Sequence, residues 1–439
     1  MTAGPAPGDR ELRSSIVRLA RPMTLGGVVG VFVPITVLAM VSRMGINDLS
    51  IRALYMPMAF LFLAIQMAFD VSNQAAAALC RGRDRIAEIP AMALSMAGIW
   101  AVTGLALSAV LLGAAPLLAD LLQVEPGVRG GFVSFLRWMS VANIALLGPV
   151  LSASSLRGVG RAGAAASITL SNAAIEIGGV AALGYGTPLG VMAVPVATVA
   201  AGVSGTVLGL FHLRRAGVWA PVGWRPEAAR RLLSVGVPVG VSYVLIFATN
   251  LALLWVLGPF GPKVRNGFST AATVQSLVII PAIALGSATA IVMNQQRGAG
   301  RQAWLAATMR AGLRVAALVY VVLALVAWLG RDLIGLLMAG DSRTADETGR
   351  YLVVVGLTYV SFGLVLMSLT AIEQIGGGPL VIALNTVYSA GVIGIGGWLA
   401  RAWDDPGALY WTIAVCNVGG VLAVLAAARF VRRLSRAEP

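Results

Sequence analysis

Between Leu232 and Arg331 the chain contains no aspartate or glutamate. Charge is scarce throughout: of 439 residues 11% are charged, and there is one histidine (His212), one lysine (Lys263) and two cysteines (Cys80 and Cys416). A lone histidine and two distant cysteines supply neither a zinc ligand set nor a disulfide framework, so no metal site and no cofactor is expected. With 58% hydrophobic residues and a mean hydropathy of +0.86, the chain lies far from a soluble domain, which is about 45–50% apolar. The patterns HExxH and GxSxG and a nucleotide-binding loop are all missing, which argues against an enzyme. The net charge of +14 comes without a basic stripe interleaved with aromatics, which argues against nucleic acid as a partner.

What the chain does have is apolar runs, each long enough to cross a hydrocarbon core of about 30 Å. They predict helices at about 16–43, 55–79, 89–113, 131–154, 166–184, 189–211, 232–257, 266–293, 305–329, 351–372, 380–400 and 408–428. The fold class expected is all-α and integral to the membrane, with twelve transmembrane helices. An even number puts both termini on one side. The polar start "MTAGPAPGDRELRSS" is not followed by a short apolar core with a cleavage site, so it reads as a retained cytoplasmic segment and not as a signal peptide. That orientation leaves about 22 Lys and Arg on the cytoplasmic side and about 10 outside, the bias of a multi-pass protein of the cell membrane.

The two halves repeat. Pro22 and Pro238 lie 216 residues apart, as do Gly160 and Gly376; Gly178-Gly179 and Gly396-Gly397, and Arg214-Arg215 and Arg432-Arg433, lie 218 apart; "SNQ" at 72–74 and "MNQ" at 293–295 lie 221 apart. The order and near-constant offset predict two six-helix lobes, residues 1–222 and 223–439, related by an internal pseudo-two-fold axis along the membrane normal. This architecture suits a transporter whose lobes rock about a central site.

Polar residues inside the spans are the candidate site. Glu176, in "TLSNAAIEIGGVAAL", sits mid-span, where an ionised acid costs about 2.5 to 3.5 kcal/mol even on the lenient insertion scale. It should therefore find partners or take up a proton, although a neutral acid that only packs is the alternative. Asn172 lies four residues earlier on the same helical face, within reach of the carboxyl group. Asp70, in "QMAFDVSNQ", shares a stripe with Gln66, Asn73 and Gln74; it is a second candidate for cation coupling, or else it caps a helix or pairs with Arg81 or Arg157. Tyr243, Asn250, Thr273, Tyr359 and Asn385, with Gln66 and Asn73, are candidate contacts in a substrate cavity, interhelical hydrogen bonding being their other use. Pro34 should kink the first span. Glu373 reads as a solvated acid at the cytoplasmic end of the tenth span, and Arg137 is the arginine expected nearest the cavity.

Three motifs carry a family resemblance: "NQQRGAG" (294–300) after span 8, "SLRGVGRAG" (155–163) after span 4, and "LGVMAVPVAT" (189–198) at the start of span 6. In order and placement they resemble the multidrug and toxin extrusion (MATE) transporters, of the wider multidrug/oligosaccharidyl-lipid/polysaccharide exporter superfamily. The resemblance covers nearly the whole chain. It implies a coupling site in the N-terminal lobe made by Asn172 and Glu176 on span 5 and Thr198 on span 6. It also implies an aspartate on span 1, at the position where this chain has Val37. The expected function is then a secondary exporter of amphiphilic, cationic organic compounds by cation antiport. A proton suits two carboxyl groups better than sodium, which wants about five or six oxygens. The alternative is a flippase for a lipid-linked oligosaccharide or an exporter of a biosynthetic product. The partners expected are a small organic substrate and the lipid bilayer, with the protein a monomer.

Overall fold

The computed structural model describes residues 8–219, 223–338 and 342–436. Nine apolar helical runs come first: α1 (Asp9–Val41), α2 (Ile46–Gly82), α3 (Ile86–Leu121), α4 (Pro126–Gly158), α5 (Ala162–Gly186), α6 (Gly190–Arg215), α7 (Glu227–Val256), α8 (Gly258–Gly298) and α9 (Gln302–Leu329). The next, Ser342–Ala402, has 61 residues, about 90 Å at 1.5 Å per residue, three times what one crossing needs. Gly376, at φ 104°, breaks it into α10 (342–372) and α11 (378–402). The last is α12 (Pro406–Arg436). Among the described residues the molecule is thus helical, with no strand and with twelve apolar helices each long enough to cross a membrane. Hydrocarbon cannot hydrogen-bond a peptide group, so each segment satisfies its backbone within itself.

Every expected span lies on one of these helices, and the helices run further. One large extension is at the start of α2, which begins at Ile46 where hydropathy places it at 55. Asn47, Asp48, Ser50 and Arg52 depress the local average without breaking the helix. Asp48 receives the backbone N–H of Val191 at 3.2 Å, which ties the start of α2 to that of α6.

Some of the repeated residues have similar local structure. Gly160 and Gly376 both take positive φ, 91° and 104°, a region closed to most side chains. The turns after α2 and α8 close alike, Arg85 N–H on Cys80 O at 2.9 Å and Arg301 N–H on Gln296 O at 2.8 Å. Asn73 donates to Leu151 O on α4 at 3.0 Å, and Asn294 donates to Gln374 O, at the end of α10, at 3.1 Å. One glycine of each pair allows close approach: a Cβ on Gly179 would stand 2.9 Å from Ala197 of α6, and one on Gly396 would stand 2.7 Å from Leu409 of α12. Lipid gives apolar side chains little reason to seek each other, so small residues that let backbones approach do much of the packing.

The chain divides into two compact units. One runs from Pro22 to Gly240; the other combines the chain up to Arg21 with Val241 onward. Both boundaries lie inside helices, α1 and α7, and not in the 212–231 loop. In the first unit the core gathers Val37 and Val41 of α1, Ile51 and Tyr55 of α2, Phe132, Phe135 and Leu136 of α4, Val180 of α5, and Val194 and Ala197 of α6. In the second, Asp9 forms an ion pair with Arg314 of α9 at 2.7 Å.

Candidate functional site

The site is built on three helices of the Pro22–Gly240 unit, α2, α5 and α6. Arg52 and Tyr55 lie three residues apart on α2, hence on one face. Arg52 is 8% exposed, and its Nε and Nη1 are buried with no hydrogen-bond partner. Its guanidinium carbon lies 5.4 Å from the centre of the Tyr55 ring, a cation–π contact that leaves the N–H groups unsatisfied. Tyr55 is fixed in turn: its hydroxyl accepts from Asn143 Nδ2 at 3.0 Å and its ring meets Phe135 edge to face at 5.3 Å.

Glu176, on α5, is half-buried; Thr198 of α6 stands at hydrogen-bonding reach, and Arg52 acts on the carboxyl group electrostatically. Thr198 Oγ1 donates its one hydrogen to Val194 O at 3.0 Å, so lone pairs face the carboxyl group. Asn172 is turned elsewhere. Its Oδ1 is buried without a partner, and it fills the space beside Gly205 of α6, 2.0 Å from where a Cβ there would stand. Four-residue spacing put Asn172 on the right face, but the glycine drew its side chain toward α6. Val37, the position of the aspartate implied on span 1, is 1% exposed and packs in the cluster that holds Val180 and Val194. The side chains that act on Glu176 therefore include the Thr198 hydroxyl and the Arg52 guanidinium, and the span 1 position holds a packed valine.

Asp70 belongs to a different place. It lies 18 residues after Arg52 on α2, about 27 Å along the helix. There it forms an ion pair with Arg157 of α4, the two side chains being 18% and 15% exposed, and Arg157 Nε also donates to Gln74 at 2.7 Å. Asn73 is part of the same junction, donating to Ser154 and Ser155 at 2.7 and 2.9 Å. Gln66 lines a small cleft of about 20 Å³ with Phe62, Trp100, Thr103 and Asn143, room for one water. Pro34 lies inside α1, which continues to Val41.

In the other unit, Asn250 and Thr273 each donate to a carbonyl four residues back, Ile246 at 3.1 Å and Ser269 at 3.1 Å. Tyr359 is fully buried with its hydroxyl unpartnered, while Tyr243 and Asn385 are half-buried. Glu373 corrects the sequence reading. It is not a solvated loop acid but 7% exposed, and it accepts from Ser242 of α7 at 2.7 Å. The chain keeps its helical course through Gln374 and Ile375 before turning at Gly376, which holds the carboxyl group inside. Arg137 is corrected too: it is exposed and donates to Leu112 O of α3 at 3.0 Å. The buried arginine is Arg52, which the sequence reading left in a loop; its regular spacing among Ile51, Leu54 and Tyr55 was the signal that could have found it.

Residues 238–396 match the family model MatE. The chain is 27% identical over 332 residues to the probable multidrug resistance protein NorM of Deinococcus radiodurans, covering 71% of this chain and 70% of that protein. It is 28% identical over 76 residues to the probable multidrug resistance protein YpnP of Bacillus subtilis, a match that spans 17% of this chain and 17% of that protein's length. The fold superposes on the MATE transporter VcmN of Vibrio cholerae in its bent form, with a TM-score of 0.89 at 14% identity over 97% of this chain and 99% of that one. It also superposes on a multidrug/oligosaccharidyl-lipid/polysaccharide superfamily transporter of Pyrococcus furiosus, described as having a binding pocket of reverse polarity, with a TM-score of 0.87 at 17% identity over 97% of each chain. The family model matched by residues 238–396, the relatives in sequence and the fold shared over nearly the whole length agree, and what this chain is similar to is the MATE family of membrane transporters.

Proposed function

We propose that this protein is a secondary active exporter of amphiphilic organic compounds, working by alternating access and exchanging its cargo for a proton bound at Glu176. The observation that carries the reading is the arrangement of Glu176 and Thr198. Because Thr198 gives its hydrogen to Val194 O, a carboxyl group that donates a proton meets it well, whereas an ionised one meets a lone pair. A sodium ion would need about five or six oxygens; the side chains that act on Glu176 are one hydroxyl and the cation Arg52. An uncompensated charge at this depth is costly, so a proton and the cationic group of a substrate are alternative ways to load the same carboxyl group, which is the logic of antiport. The protein acts as a carrier and not an enzyme, as a monomer in the cell membrane with both termini cytoplasmic, its partners being the organic substrate and the bilayer. The test is efflux of ethidium from proteoliposomes under an imposed proton gradient and, separately, a sodium gradient. Proton-driven efflux is expected; efflux that follows sodium alone would overturn the assignment.

Arg52 favours a second reading of the cargo. A flippase or product exporter must accommodate an anionic group, and a buried guanidinium beside the coupling acid is what such a group requires.

A further inference from the structure

A guanidinium carries five N–H donors and is ionised at any physiological pH. Buried polar groups in folded proteins are nearly always paired, and an exception in a membrane span marks a missing partner more often than tolerated strain. Arg52 is such an exception: at 8% exposure, its Nε and Nη1 have no acceptor. Tyr55 covers its face and Glu176 acts on it electrostatically, yet neither accepts those hydrogens. Asp48, one turn earlier on α2, is committed to the backbone of Val191. Among the described residues no acceptor for these atoms is found.

We infer that Arg52 is a specificity-determining residue that binds an oxyanion, a carboxylate or phosphate, carried by the transported compound. The guanidinium fork matches the oxygens of both groups, and the Tyr55 ring holds it in place. Glu176, on which Arg52 acts electrostatically, takes a proton or a cationic group. The site therefore suits a compound with an acidic group at Arg52 and an ammonium group toward Glu176. Charge also links the two ends. With Glu176 ionised, Arg52 is partly neutralised from within; with Glu176 neutral, its charge is free for the oxyanion. Oxyanion affinity at Arg52 should then rise as Glu176 is neutralised. This step rests on the placement of Glu176 in the proposed function, but the oxyanion site itself does not depend on proton coupling.

The test is equilibrium binding of radiolabelled benzoate and phenyl phosphate to the protein in nanodiscs of phosphatidylcholine, beside binding of benzyltrimethylammonium. Wild type should bind at least one of the two anions. Arg52→Gln should weaken that binding about tenfold or more, the loss expected for a charge-assisted hydrogen bond, without weakening benzyltrimethylammonium, since it removes a cation that acts on Glu176; retained cation binding shows that the protein is folded. Arg52→Lys should retain part of the affinity, and Glu176→Gln should raise it. Repeating the measurement with phosphatidylglycerol in the disc separates sources: competition assigns the oxyanion to a lipid headgroup, and its absence assigns it to a free solute. No anion binding by wild type, or binding indifferent to Arg52→Gln, overturns the inference. Ethidium efflux driven by a proton gradient would survive that failure, whereas lost proton coupling with intact anion binding would overturn the proposed function and leave Arg52 standing.

Discussion

Replacing Asp70 by asparagine separates a structural pair from a coupling acid. Asp70 and Arg157 are 18% and 15% exposed and joined by an ion pair, so Asp70→Asn leaves a guanidinium in a poorly solvated place with only Gln74, at 2.7 Å, as a remaining partner. Breaking a buried pair from one side costs about 3–5 kcal/mol, most of it the stranded charge. The same arithmetic says that removing both charges is milder. The double variant Asp70→Asn/Arg157→Gln should recover at least about 1 kcal/mol relative to the sum of the two single changes, a coupling of the size seen between residues in one network. The assay is unfolding of the purified protein in one detergent for the four members of the cycle, with ethidium efflux measured at matched membrane abundance. Asp70 lies about 27 Å along α2 from Arg52, the residue that acts on Glu176, so it should affect efflux only through abundance. If Asp70→Asn unfolds like wild type but abolishes proton-driven efflux, Asp70 is part of the coupling machinery and the structural reading is wrong.

Three further outcomes follow from the geometry. Gly376 at φ 104° excludes a Cβ without strain, so Gly376→Ala should lower stability by about 1–3 kcal/mol, read by the same unfolding assay; an unchanged transition would mean that the break between α10 and α11 does not depend on that conformation. Glu373→Gln keeps an acceptor for the Ser242 hydroxyl and should retain wild-type efflux, whereas Glu373→Ala leaves Ser242 unpaired and should cost about 1–3 kcal/mol; lost coupling in Glu373→Gln would place a proton site in the second unit. In a background lacking Cys80 and Cys416, an impermeant maleimide applied to intact cells should label Ser342→Cys and spare Gly223→Cys, both exposed positions; the reverse pattern would invert the orientation.

The fold was legible because the membrane dictates it. Apolar length fixed the apolar helices, and within them Asn73 and Asn294 each donate to a backbone carbonyl while Gly160 and Gly376 both take positive φ. The site was legible in part. Glu176 was visible as an acid with no apolar excuse, and Thr198 through the resemblance. Arg52 was not, because averaging over a window that includes Asn47 and Asp48 hides a helix start whose polar groups face protein and not lipid. Glu373 was missed for a related reason: a residue near a helix end looks solvated until the turn that encloses it is known. The direction of Asn172 depends on Gly205, 33 residues later in the chain, and no local pattern reports that.

The most direct measurement of the central claim is ethidium efflux from proteoliposomes as a function of the imposed pH gradient, for wild type and Glu176→Gln at equal reconstituted amounts. Glutamine keeps the size of the side chain and can still donate a hydrogen bond to Thr198, but it cannot take up or release a proton. Efflux by Glu176→Gln should therefore lose its dependence on the gradient, while equilibrium exchange of ethidium down its own gradient persists. Efflux at the wild-type rate with an unchanged pH dependence would contradict the account and leave Glu176 as an acid that only packs.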